Sequence, residues 1–286
     1  MINYKQHTNL SSDYITKKLK EFYKEDLPNG DITTISTINP NSYVKSEIYA
    51  VEKLFFSGKI ILPFCFNKKC DIKININDGD SVDEGGLIGS IYGPTQEILS
   101  KERVMLNLIQ RLCGISTLTK KYSSIAEPYK IKILDTRKTT PGIRLFEKYA
   151  VAIGGAYNHR LNLSDGILIK DNHITAAGSI TNVINNIKKH PSNLPIELEV
   201  DNINQIIEAI PLGINGFLLD NMDINKIYDA VSLIRKSNNG NNIFIEASGG
   251  INLNNINPYL KSGVNAISIG SLTHQAVSKD IRLEFI

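Results

Sequence analysis

Long hydrophobic runs are missing from this sequence. None approaches the roughly 20 apolar residues that a helix needs to span a bilayer, and the opening stretch MINYKQHTNL has no apolar signal core. The expectation is a cytoplasmic protein with no membrane partner. Cysteine is scarce. Cys65, Cys70 and Cys113 are odd in number and fit no zinc spacing, so they read as reduced structural thiols. One-sided charge is also lacking. A net charge of +3 is too small by itself to imply nucleic acid.

What is present suits a globular enzyme. The 286 residues are 42% hydrophobic, enough for one large domain or two unequal ones and too much for global disorder. Tyr14, Ile15, Leu19, Phe22 and Tyr23 recur at helical spacing and predict a helix over 11–24. Pro28, Asn29 and Gly30 then mark a turn. Short strand-like segments such as YVKSEIYAV and KININ fill 43–92, punctuated by Gly79, Gly85, Gly86, Gly89 and Gly93. The stretch DGDSVDEGGLIGSIYG is similar to the β-sandwich turns of biotinyl and lipoyl carriers. It has no lysine for a carrier's hairpin tip, so it reads as scaffold. Residues 96–113 predict a strong helix with Ile98, Met105, Ile109 and Leu112 on one stripe and Gly114 placed to end it. Arg103, Asn107 and Gln110 share another face, and by spacing alone Arg103 is a solvated surface cation.

From about residue 130 the pattern changes. KILDTRK, GILIKDNH, IELEVDN, GFLLDNM, IFIEASGG and AISIGS are short buried runs, each stopped by polar residues. Helix-length stretches separate most of them, including Ile180 to Lys189, Ile203 to Ile210 and Asn225 to Arg235. Strands alternating with helices imply a parallel sheet with helical crossovers, either a barrel or an open doubly wound sheet.

In a barrel, function gathers at the C-terminal strand ends. Asp135, Arg137, Lys138, Lys170, Asp171, His173, Glu199, Asp220, Glu246, Gly270 and Ser271 fall there. A strand buried on both faces does not end in Lys170 or Glu199 unless each charge has a partner. Arg137, Lys138, Arg160 and Lys170 form a cationic half, which implies a substrate with several negative charges. Glu199, Asp220 and Glu246 form an acidic half, suited to Mg²⁺, sugar hydroxyls or a developing cation. Ser248 to Gly250 and Gly270–Ser271 follow two late strands, where barrels bind phosphate through backbone N–H groups.

The block ILDTRKTTPGIRLFEKYAVAIGGAYNHRLNLSDGILIKDNHI, residues 133–174, closely resembles the signature region of the quinolinate phosphoribosyltransferases. EDLPNGDITT, ERVMLNLIQRLCGISTLT, LLDNM, EASGGI and ISIGSLTH agree in order over nearly the whole chain. The resemblance implies a pentosyltransferase of NAD biosynthesis. Such enzymes take quinolinate and phosphoribosyl pyrophosphate to nicotinate mononucleotide, pyrophosphate and CO₂, with Mg²⁺ as cofactor. It implies an N-terminal α/β sandwich domain, residues 1–114, and an incomplete α/β barrel of about seven strands, residues 115–272. The tail 273–286 would pack with the first domain. It also implies a homodimer with a shared active site, or a higher oligomer, in which Arg103 reaches the partner's site.

By the same resemblance Arg137, His159, Arg160 and Lys170 bind quinolinate, Thr136 is substrate-binding, and Lys138 sits between quinolinate and donor. Glu199 and Asp220 face the ribose and Mg²⁺, with Lys138, Glu199 and Asp220 as the catalytic group. Ser248, Gly249, Gly250, Gly270 and Ser271 hold the 5′-phosphate, with His274 nearby. His173 is expected to brace Lys170. The alternatives are the paralogous protein associated with molybdenum transport, a nicotinate phosphoribosyltransferase handling one carboxylate, and a non-catalytic anion-binding or carrier module.

Overall fold

A computed structural model describes residues 2–190 and 192–286. It divides the chain into two compact units.

One unit comprises His7–Lys121, Thr140–Gly155 and Gln275–Ile286. Its strands are β1 (Tyr43–Ala50), β2 (Leu54–Phe55), β3 (Asp71–Ile74), β4 (Ser81–Val82) and β5 (Leu87–Pro94). A late strand, Ile281–Phe285, pairs antiparallel with β1. The resulting four-stranded sheet places β1 between that late strand and β5, with β3 outside β5, while β2 and β4 form a separate pair. Along β1, Ser46, Ile48 and Ala50 turn inward at the period of two that a half-buried strand requires. The expected first helix is Ser12–Asp26, capped where the Ser11 side chain accepts from Tyr14 N and burying Ile15 and Leu19.

The expected helix over 96–113 is longer than its sequence signal. It runs Thr95–Ala126 and passes straight through Gly114. The glycine serves close approach rather than termination: a Cβ at Gly114 would lie 2.2 Å from the carbonyl oxygen of Val277. Helix Arg144–Ile153 carries the fully buried Glu147, which accepts from Arg111 Nε at 3.1 Å and Nη2 at 2.9 Å and from Thr140 N at 2.9 Å. That satisfies a charge that would otherwise be costly to bury. The cysteines are free. Burial pushes the Cys65 and Cys113 thiols up to about 12 and Cys70 up to about 11. Among the described residues no helix is long and apolar enough to cross a membrane.

The other unit comprises the stretch up to Gln6, Tyr122–Thr139 and Ala156–His274. Its strands are β6 (Lys132–Leu134), β7 (Ile167–Ile169), β8 (Ile196–Val200), β9 (Gly216–Asp220), β10 (Phe244–Ser248) and β11 (Ala266–Ser268); the late strand Ile281–Phe285 of the first unit is β12. All neighbours are parallel, in the order β6-β11-β10-β9-β8-β7. The predicted crossover helices are observed as Ile180–Lys188, Ile203–Ala209 and Ile224–Lys236.

About seven strands were expected and six form ladders. The remaining position is a single parallel bridge between Tyr157 and Leu134. Its flanking GGAYN segment is too rich in small residues to extend as a strand. The sheet is therefore an incomplete barrel, open between Tyr157 and β7 among the described residues. Ile2 packs with Leu134, Phe244 and Ala266, with Tyr4 against them.

Candidate active site

Parallel strands with a two-residue side-chain period stack polar groups in layers. On β8, Glu197 and Glu199 share a face, as do Glu246 and Ser248 on β10. Ser248 is the register partner of Asp220, and Glu199 of Leu218. Together these strand ends line a cavity of about 340 Å³. Its walls bring together Thr136, Arg137, Lys138, His159, Arg160, Lys170, Glu199, Asp220 and Ser248, with Glu246 and Ser268 deeper. A cavity of this size with a few convergent charges is the usual form of a small-molecule site.

The cations are positioned by their neighbours. Lys170 pairs with Glu199, which supplies the partner its strand end requires. His173 Nδ1 accepts from Lys170 N at 2.9 Å, and His173 N donates back to Lys170 O at 2.9 Å, a local brace of the kind expected. Arg160 is buried at 6% exposure and its Nη1 donates to Gly166 O at 2.9 Å. Asp135, fully buried at the end of β6, accepts from His159 N at 2.7 Å and from Asn158 Nδ2 at 2.8 Å. It thereby fixes the turn that presents His159 and Arg160.

The remaining phosphate candidates lie at the ends of β10 and β11. Gly249 needs its positive φ of 95°, and a Cβ there would stand 2.7 Å from the Asn221 backbone. Gly270 adjoins both Lys138 and His274: a Cβ would meet Lys138 Cδ at 2.9 Å and His274 Nε2 at 3.2 Å. Thr273 Oγ1 donates to Lys138 O at 2.7 Å. The Ser271 hydroxyl is buried without a hydrogen-bond partner. Gly250 follows Gly249 with a φ of 64°.

A lower layer adds Glu197 and Tyr4, which the sequence reading did not single out, to His159 and Glu246, which it did. Glu197 and Glu246 are both fully buried. Tyr4 stacks on His159 with ring centroids 4.5 Å apart, and its hydroxyl donates to Glu197 Oε2 at 3.2 Å. His159 Nε2 stands 3.5 Å from Glu197 and 3.7 Å from Glu246. Burial and the neighbouring Glu197 push the Glu246 carboxyl up to about 8, and burial pushes the Tyr4 phenol up as well. His159, Glu197 and Glu246 have the spacing of a metal-ligand trio. However, His159 Nδ1 accepts from Arg160 N at 2.8 Å. The ring proton therefore sits on Nε2, the atom facing both carboxylates, and a protonated nitrogen does not ligate. The signal for Glu197 was the i, i+2 repeat in IELEV; nothing in the sequence pointed to Tyr4.

Arg103 is not part of this cavity. It is exposed on helix Thr95–Ala126, where it lines a second cavity of about 330 Å³ with Phe22, Asp26, Asn107 and Arg111.

The family model described as quinolinate phosphoribosyl transferase, C-terminal domain, matches residues 115–284, and the corresponding N-terminal domain model matches residues 31–113. The chain belongs to the quinolinate phosphoribosyltransferase family. Within that family it is 40% identical to the probable nicotinate-nucleotide pyrophosphorylase (carboxylating) of Bacillus subtilis, over 94% of this chain and 93% of the relative. The solved nicotinate-nucleotide pyrophosphorylase of Francisella tularensis superposes with a TM-score of 0.92 at 34% identity, covering 99% of this chain and 100% of the other. That of Ehrlichia chaffeensis gives 0.89 at 38% identity, covering 97% and 100%. The quinolinate phosphoribosyltransferase fold, a small mixed domain with a six-stranded parallel sheet, is thus the fold of this protein.

Proposed function

We propose that this protein transfers phosphoribosyl from phosphoribosyl pyrophosphate to quinolinate with loss of CO₂, giving nicotinate mononucleotide and pyrophosphate in NAD biosynthesis. Membership of the family supports the reaction. One observation carries the substrate choice: Arg137 and Lys138, Arg160, and Lys170, from three separate segments, converge on one cavity that Glu199 and Asp220 also line. Four cations suit a doubly ionised ring acid beside a polyphosphate better than a single carboxylate. The relatives' names favour this reading over the molybdenum-associated paralogue.

Arg137, Arg160 and Lys170, with Thr136 and His159 beside them, clasp the two carboxylates and turn the ring nitrogen toward the sugar C1. Lys138 stands between the two substrates and takes up charge on the departing pyrophosphate. Glu199 and Asp220 stabilise the sugar cation as the C1–O bond lengthens. Ser248, Gly249, Gly250, Gly270 and Ser271, with His274 nearby, receive the 5′-phosphate; the unpartnered Ser271 hydroxyl suits that role. Attack makes the ring nitrogen a pyridinium, and the adjacent carboxylate leaves as CO₂ with its bonding pair retained by the ring. No covalent enzyme intermediate is required, so positioning and electrostatics supply the rate.

Glu199 and Asp220 are hard oxygen donors facing the same cavity and fit Mg²⁺ carried in with the donor. Bound there, Mg²⁺ would neutralise charge on the pyrophosphate. We further propose a cytoplasmic homodimer in which Arg103 completes the partner's site. Mixing the protein with quinolinate, phosphoribosyl pyrophosphate and Mg²⁺ tests the function. Nicotinate mononucleotide and CO₂ in equal amounts are expected, and their absence refutes it.

A further inference from the structure

We propose that Glu246 is the acid that returns a proton to the pyridine ring carbon when CO₂ departs. The inference rests on the function proposed above and concerns its last step. Loss of a carboxylate leaves an electron pair on carbon, and the product carries hydrogen there. Some group at the cavity must deliver that hydrogen. Glu246 lines the cavity yet is 0% exposed, and neither of its oxygens has a hydrogen-bond partner. Ser268 of β11 lies beside it without completing a hydrogen bond. An ionised carboxylate so placed would be expensive, whereas a neutral carboxyl aimed at a ligand is tolerable.

The groups around it favour the neutral form. Glu197 of β8 faces it and raises its proton affinity; Asp135 at the end of β6 does the same more weakly. His159 and, more weakly, the Ser268 hydroxyl act in the opposite direction. From β9 its register partner is the apolar Leu218. Tyr4 closes the far side of the cluster through Glu197. The outcome is a carboxyl held up to about 8, protonated at neutral pH, in a cavity that also holds four cations and the carboxylates of Glu199 and Asp220.

The step balances without any co-reactant. The bond between ring carbon and carboxylate breaks, its pair stays on carbon and CO₂ leaves. The O–H bond of Glu246 then breaks, the C–H bond forms from that pair, and Glu246 is left as carboxylate. Glu246 regains its proton from solvent admitted to the cavity once product has left.

Glu246→Gln keeps the shape and removes the transferable acid proton. The full-length variant is followed by rapid quench with carboxyl-labelled quinolinate, timing pyrophosphate and CO₂ separately. Pyrophosphate release and quinolinate affinity should stay within a few-fold of wild type. Nicotinate mononucleotide formation should slow roughly 100-fold or more: with no proton to trap the carbanion, CO₂ recombines with it and the carboxylated ribosyl adduct accumulates. Wild-type turnover should fall as pH rises through about 8, and that limb should vanish in the variant. Glu246→Asp, which withdraws the acid but keeps it, should separate the two products less severely and guards against a fold defect in the first variant. CO₂ appearing in step with pyrophosphate at the wild-type rate in Glu246→Gln overturns the proposal. So does a loss explained wholly by weaker quinolinate binding. Wild type that releases no pyrophosphate from phosphoribosyl pyrophosphate in the presence of quinolinate overturns the underlying function as well.

Discussion

Arg160→Ala offers a sharp separation of binding from folding. The side chain is buried at 6% exposure, and its Nη1 donates to a backbone carbonyl, Gly166 O, at 2.9 Å. Losing that bond should cost about 1 kcal/mol of stability, which leaves the fold intact. The backbone bond from Arg160 N to His159 Nδ1 survives the substitution. Quinolinate, in contrast, loses a desolvated charge partner, a change that commonly costs ~2–5 kcal/mol. At 1.4 kcal/mol per tenfold, affinity should fall by ~30-fold to ~4000-fold. Titration calorimetry at fixed ionic strength, with each substrate separately, reads the result. Phosphoribosyl pyrophosphate should bind within a few-fold of wild type. Arg160→Lys, which retains charge but not the planar fork, should fall between the two. Equal weakening of both ligands, or quinolinate affinity unchanged in Arg160→Ala, would refute the assignment of this side chain to the diacid.

Other expectations are open to direct measurement. Arg137→Ala should likewise weaken quinolinate more than donor, by ~2–5 kcal/mol in the same titration. Two inactive variants, Arg103→Ala and Lys138→Ala, should regain activity when mixed and refolded together; no recovery counts against a shared site. Gly114→Ala forces a Cβ to 2.2 Å from Val277 O and should destabilise by ~1–3 kcal/mol, seen as a lower thermal midpoint. The Glu246 carboxyl is raised on folding from 4.5 to about 8, so the stability it contributes is present at low pH and lost as pH climbs through that interval. Denaturant titrations should show Glu246→Gln gaining on wild type over the same rise.

The strand-end charges were legible because a parallel strand buried on both faces leaves polar residues only one place to go, its end. KILDTRK, GILIKDNH and GFLLDNM therefore declared Arg137, Lys170 and Asp220 without any knowledge of the fold. Glu197 was hidden for the complementary reason. It lies inside IELEV, where a period of two puts it directly below Glu199, and a buried interior charge is what the rule discounts. Tyr4 could not be read at all, since its partners His159 and Glu197 lie more than 150 residues away. Gly114 misled because a glycine after an apolar stripe signals a helix end, while the close passage of Val277, which gives the residue its real purpose, is a tertiary fact. The figure of about seven strands came with the family resemblance, whereas the six buried runs read from the sequence are the six strands of the parallel sheet.

The pairing of β1 with β12 joins Ser46–Ala50 to Ile281–Phe285. During synthesis the early sheet must therefore wait, with one margin of β1 unclaimed, until Ile281–Phe285 has left the ribosome. A nascent chain stalled before residue 281 presents bare amides and carbonyls along that margin, the kind of surface that recruits another strand and seeds association. Premature termination just before residue 281 should consequently be felt as insolubility before it is felt as lost chemistry.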